Sequence, residues 1–188
     1  MTHTVFITGS ASGIGFGIAE FLGQQGHRIL VADINETAAN SACEKLHLQG
    51  ISCRPVILDV TDAAAISQLP TTLHDETIDI LVNNAGIQHV SKIEDFPPEK
   101  WQLLINIMLV APAMLTQALL PGMRARNYGR IINVGSIHSV VASPYKSAYV
   151  AANSFLDNLA LYRKAQDLRA TSINWGTVSE VGLAAQSE

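Results

Sequence analysis

Cysteine is scarce. The chain of 188 residues carries two, Cys43 and Cys53, and neither has the spacing of a metal knuckle or a redox pair, so no metal site and no disulfide framework is expected. Both read as packing thiols in a reducing cytosol, which places the protein in the cytoplasm. Charge is thin as well: 15% of residues are Asp, Glu, Lys or Arg, with a net charge of -4. The basic residues are scattered, with no run or stripe, which argues against a nucleic-acid partner. The chain enters apolar sequence within a few residues without a charged-then-apolar leader. No apolar run is expected to reach the roughly 18 residues of a membrane span, so no membrane partner is expected either. Internal repeats, low-complexity tracts and linkers are missing.

What is present is apolar: 48% of residues are hydrophobic, enough for one domain with a sizeable core. Short runs rich in Val and Ile at 5–7, 29–32, 56–58, 78–82, 131–134 and 171–174 suit strands buried on both faces. Amphipathic patterns at 14–25, 36–49, 62–69, 98–126 and 147–166 suit helices. Helices between strands are crossovers, which makes the sheet parallel and the fold class α/β.

Directly between the first strand and helix lies Thr8-Gly9-Ser10-Ala11-Ser12-Gly13-Ile14-Gly15. Glycines there permit a tight turn and close backbone approach, and the helix amino terminus offers unpaired N–H groups to a pyrophosphate. The second strand ends in Asp33. Its carboxylate can accept from both hydroxyls of an adenosine ribose and would repel a 2'-phosphate, or it can cap the following Asn35-Glu36 segment. Asp59-Val60 follows the third strand, where Asp59 can meet an adenine amine or cap a helix, although Asp62 is the better cap. Asn83-Asn84-Ala85-Gly86 follows the fourth strand: its amides can tie strands together, and its small residues leave room for a ribose.

The stretch 131–153 runs from a buried strand into a loop of hydroxyls. It contains Ser136, then Tyr149 thirteen residues later, then Asn153 four residues after that. With the glycine loop and Asn83-Asn84-Ala85-Gly86, this resembles the short-chain dehydrogenase/reductase family over nearly the whole chain. The resemblance implies a Rossmann-type doubly wound parallel sheet of about six strands, ordered 3-2-1-4-5-6, as a single NAD-binding domain over 1–188 that stops before the usual seventh strand and most of a lid. It implies NAD held by Gly9, Ala11, Ser12, Gly13, Ile14, Gly15, Asp33, Asp59, Val60, Asn83, Ala85, Gly86 and Tyr149. It also implies catalysis by Ser136, Tyr149, Asn106 and the residue at 153. Tyr149 would be the general acid/base, Ser136 would hold the substrate oxygen, and Asn106 would support a proton relay. Thr177 and Val178 would reach the nicotinamide carboxamide.

The family has Lys where this chain has Asn153. A free phenol, with a pKa of about 10, is a poor base at neutral pH, and a cation one helical turn away favours the phenolate. Asn153 carries no charge, so activity is expected to be impaired. Residues 1–152, through Gln88, Ser136, His138 and the run 141–152, resemble D-3-hydroxybutyrate dehydrogenases. That likeness implies a short hydroxy acid or keto acid held at its carboxylate by Gln88, His138 and Lys146, beside Ser136 and Tyr149. Residues 149–188 resemble the ketoreductase domains of modular polyketide synthases, which also place Asn four residues after Tyr but carry a Lys where Asn106 stands here. Two alternatives are a catalytically silent NAD-binding protein and a ketoreductase of a carrier-bound acyl chain. The family also implies a homo-oligomer formed through the two long helices.

Overall fold

The computed structural model describes residues 2–141, 144–166 and 174–175. Five parallel strands form its main sheet, β1 (Thr4–Thr8), β2 (Arg28–Asp33), β3 (Cys53–Ile57), β4 (Ile78–Asn83) and β5 (Arg130–Asn133), in the order β3-β2-β1-β4-β5. Helices α1 (Gly13–Gln24), α2 (Glu36–Leu48) and α3 (Ala63–Thr72) make the first crossovers. Beyond β4, α4 (Pro98–Ile105) passes through a π-helical turn, Asn106–Val110, into α5 (Ala111–Ala125). After β5 come the two-residue strand β6 (Gly135–Ser136), a 3-10 turn (Ile137–Ser139), α6 (Ser147–Lys164) and the short β7 (Asn174–Trp175).

Strand alternation builds two cores. Val5, Ile7, Ile29 and Val31 pack on one face against Ala19 of α1 and Ala39, Ala42, Cys43 and Leu46 of α2. Phe6, Leu30 and Leu81 pack on the other against Ile66 and Leu69 of α3 and Leu115, Leu119 and Met123 of α5. Asn35 and Asp62 cap α2 and α3, each accepting backbone N–H groups of the first turn. The two cysteines are free and buried. Burial pushes the Cys43 thiol up to about 12 and raises that of Cys53, as suits packing groups.

Three expectations need correction. Among the described residues the main sheet has five strands: Asn174 and Trp175 pair with Gly135 and Ser136, just past β5, while the rest of the expected strand 171–174 lies outside the described residues. β5 was expected to be buried on both faces, whereas Ile131 and Ile132 are 37% and 44% exposed. The segment 98–126 is two α-helices joined by a π-helical turn rather than one. Taken as a unit, Pro98–Ala125 has a mean hydropathy of 2.0 and is long and apolar enough to cross a membrane. Asn106, Pro112, Thr116 and Gln117 break the run when it is read residue by residue. In the fold, this unit buries Leu104, Ala111, Leu115, Leu119 and Met123.

Candidate active site

A cavity of about 390 Å³ runs along the carboxyl ends of the strands, where open parallel sheets bind ligands. One end is the glycine loop. Gly9 adopts φ +61°, and a Cβ there would lie 2.9 Å from the Cα of Ala85; a Cβ on Gly15 would lie 2.4 Å from the Gly9 carbonyl oxygen and 2.5 Å from the Asn84 amide nitrogen. Only glycine permits this contact between the first and fourth crossovers. The loop is held from below by Thr8, whose hydroxyl oxygen accepts the N–H groups of Asn84 and Ala85, each at 3.0 Å. Asn84 in turn donates its side-chain amide to the carbonyls of Thr8 and Gly9 at 2.9 and 3.0 Å. Thr8 is thus a supporting residue that the glycine pattern alone did not single out. Its signal was the Thr that opens the motif.

Ser12 sits at the N-cap of α1 in extended conformation, with its side chain making no capping bond. The first-turn residues Gly13, Ile14 and Gly15 line the cavity beside it. This is the donor set a pyrophosphate requires, so the residues present fit the phosphates of a dinucleotide. Asp33 closes the same end. One of its oxygens accepts the Ala11 N–H at 3.2 Å and the other accepts the Asn35 N–H at 3.1 Å. Asn35, not Asp33, caps α2, which resolves the choice left open in the sequence. Asp59 accepts both the N–H and the hydroxyl of Thr61, while Asp62 caps α3. Asp59 and Val60 still line the cavity, as do Asn83, Ala85 and Gly86. Asn83 donates its amide to Asn133 at 2.8 Å, tying β4 to β5. Of the cofactor residues expected, Ala11 alone is off the wall, its N–H being given to Asp33.

The other end carries the hydroxyl groups. Ser136, on β6, and Tyr149, in the first turns of α6, line the cavity together with Trp175. Ser136 is buried, and its hydroxyl oxygen accepts the His138 N–H at 3.3 Å. The His138 imidazole meets the Tyr149 ring edge-on, with centroids 5.9 Å apart, and the Lys146 ammonium lies 3.5 Å from its Nε2. Gln88 follows Ile87, which lines the cavity, on a segment tied to the same loop by the Ser91 N–H donated to the Tyr145 carbonyl at 3.0 Å. Of the expected carboxylate-holding groups, His138 and Lys146 thus stand beside the Ser136–Tyr149 end, and none of the three, Gln88 included, lines the cavity itself.

Two expected catalytic residues are not brought there. Asn153 is buried at 2% exposure, and its amide is donated to the Tyr149 carbonyl at 2.9 Å, one turn back in its own helix. Asn106 opens the π-helical turn, and its side-chain oxygen accepts from Gln102 at 2.8 Å. The residues of that segment that line the cavity are Ile107, Met108 and Pro112. Met108 approaches the Gly86 side of the cavity, so an apolar thioether stands where a relay amide was expected. Thr177, Val178 and the segment 176–188 lie outside the described residues.

Residues 3–186 match the sequence family described as short chain dehydrogenase. The chain belongs to that family. It is 47% identical over 151 residues to the D-beta-hydroxybutyrate dehydrogenase of Cupriavidus necator, a match covering 79% of this chain and 58% of that protein. It is 41% identical over 159 residues to the D-beta-hydroxybutyrate dehydrogenase of Rhizobium meliloti, covering 81% and 60%. The chain thus spans about three-fifths of the length of these curated relatives. The crystal structure of NAD+-bound xylitol dehydrogenase superimposes with a TM-score of 0.82 at 26% identity, over 93% of this chain and 70% of that one. The short-chain dehydrogenases are oxidoreductases that use a nicotinamide cofactor. The glycine loop, the helix N-terminus and the Ser136–Tyr149 pair of this member line one cavity.

Proposed function

We propose that this short-chain dehydrogenase interconverts a short hydroxy acid, 3-hydroxybutyrate or a close analogue, with its keto acid, using NAD, at a rate held down by Asn153. The observation that carries the reading is one cavity shared by the glycine loop, Asp33, Ser136 and Tyr149. A nicotinamide held there by the glycine loop and Asp33 would supply hydride chemistry at the substrate carbon. In reduction the Tyr149 hydroxyl gives its proton to the substrate carbonyl oxygen while the Ser136 hydroxyl donates a hydrogen bond to that oxygen; in oxidation Tyr149 takes the proton back. Lys146, His138 and Gln88 would hold the substrate carboxylate, with the ammonium supplying a charge-assisted hydrogen bond.

Asp33 supports NAD over NADP, because a carboxylate at the ribose end repels a 2'-phosphate. Acetoacetate reduction is accordingly expected with NADH and to be at least about tenfold slower with NADPH, and Asp33→Ala should narrow that gap. Equal rates with the two cofactors in the unaltered protein would contradict the assignment.

The placement of Asn153 favours a second reading, an NAD-binding protein without turnover, since neither Asn153 nor Asn106 lines the cavity. Action on a carrier-bound acyl chain rests on the likeness of residues 149–188 to ketoreductases, and Asp33 counts against it. The exposed Val110, Phe155, Leu161 and Tyr162 on the long helices support a homo-oligomer. The two free cysteines support a cytoplasmic setting.

A further inference from the structure

Asp157 lies two helical turns beyond Tyr149 on α6; it does not itself line the cavity, but its neighbour Leu156 does. Its Oδ2 accepts two side-chain hydrogen bonds from different parts of the chain: one from the Ser139 hydroxyl, and one from the Asn174 amide at 3.0 Å. Ser139 ends the 3-10 turn that follows Ser136. Asn174 starts β7 and pairs with Gly135, leaving Trp175 opposite Ser136. A second tie joins the same turn to α6, the Ser154 hydroxyl donating to the Ser139 carbonyl at 3.0 Å.

The β6–β7 ladder is two residues long on each side, too short to hold its own register against thermal motion. α6 is an 18-residue helix and carries Tyr149 on a rigid frame. We infer that Asp157 is a positioning residue that joins the turn after Ser136 and the strand bearing Trp175 to the helix bearing Tyr149, and so sets the separation of the two hydroxyls that share the substrate oxygen. Both of these ties are accepted at one carboxylate oxygen.

The inference rests on the proposed reaction for its effect on rate, but not for its structural content. The chain has two tryptophans, so Trp101→Phe leaves Trp175 as the sole reporter of the β6–β7 ladder. In that background Asp157→Ala should shift Trp175 emission to longer wavelength and lower its anisotropy, with the far-UV circular dichroism unchanged. It should also reduce kcat for acetoacetate about ten- to a hundredfold while KM for NADH stays within about twofold, as expected when reacting groups are misplaced but the cofactor end is intact. Asp157→Asn retains a carbonyl oxygen that can accept from both donors and should stay within about threefold of the parent in rate, with near-parent emission. Should Asp157→Ala fail to fold, Ser139→Ala, which removes one donor, carries the same test at smaller amplitude. Trp175 emission and anisotropy unchanged in Asp157→Ala, or Asp157→Asn as damaging as Asp157→Ala, would overturn the inference. If the parent turns over no acetoacetate, the proposed reaction fails, and the Trp175 readout still decides the role of Asp157.

Discussion

At position 153 the side chain one helical turn beyond Tyr149 is an amide bonded to its own helix, so in the proposed reaction Tyr149 would transfer its proton without a cation at that position. A Lys there would favour the phenolate. Asn153→Lys should therefore raise oxidation of the hydroxy acid by roughly tenfold or more and move its pH profile to lower pH, with a smaller effect on reduction, which uses the protonated phenol. The gain is opposed by the cost of charge at a site 2% exposed. Steady-state rates in both directions across pH check this, and an unmoved oxidation profile would show that charge at 153 does not govern the reaction. The Tyr149-to-Asn153 spacing was legible in the sequence because it is a count of residues. The direction of the Asn153 amide was not, because an amide can reach either the cavity or the carbonyl one turn back, and only packing decides.

Among the elements, the strand-to-helix loops were the most legible, because their glycines answer a local steric demand. At Gly15 that demand is severe: the added Cβ of Gly15→Ala meets a backbone carbonyl and the Asn84 amide. The substitution should cost about 1–3 kcal/mol and abolish NADH binding, which urea unfolding and fluorescence titration would measure. A variant of parent stability that binds NADH normally would contradict the close-packed loop. The long helix was less legible. A 3.6-residue period places Asn106 on one face, but the π-helical turn at Asn106–Val110 adds a residue to the turn and rotates the helix beyond it, and Ile107, Met108 and Pro112 are the residues that line the cavity. At the end of the sheet the described part of the expected last strand, Asn174 and Trp175, pairs with the two residues just beyond β5, a break at Val134 that no apolar run announces.

At the scale of the molecule, the edge of the sheet opposite the cavity, at the strands' amino ends, is fastened by charge. Arg28 on β2 makes a bidentate contact with Glu76, which precedes β4 and is nearly buried, at 6% side-chain exposure. The hydrogen bond from Arg28 holds the Glu76 carboxyl below the usual carboxylate range, outweighing the opposing effect of burial. A carboxyl depressed in the folded state contributes stability that is complete above its unfolded value and lost as pH falls through the folded one, so the protein should lose stability below about pH 4.5. Glu76→Gln should lower stability at pH 7 by about 1–2 kcal/mol, a figure reduced because Arg28 is partly in water, and should flatten the acid loss. Urea midpoints at pH 7 and pH 4 test both. These strand-end charges were not legible as partners, since nothing in the local pattern at 28 or 76 points to a residue so distant in the chain. The central claim concerns the other edge of the sheet, where one cavity joins a dinucleotide cradle to Ser136 and Tyr149. Its most direct test is to titrate the protein with NADH by fluorescence and then add acetoacetate to the same cuvette. Saturable binding followed by loss of NADH is the predicted result; saturable binding with no NADH consumed at any pH would contradict the proposed reaction and leave a nucleotide-binding protein without turnover.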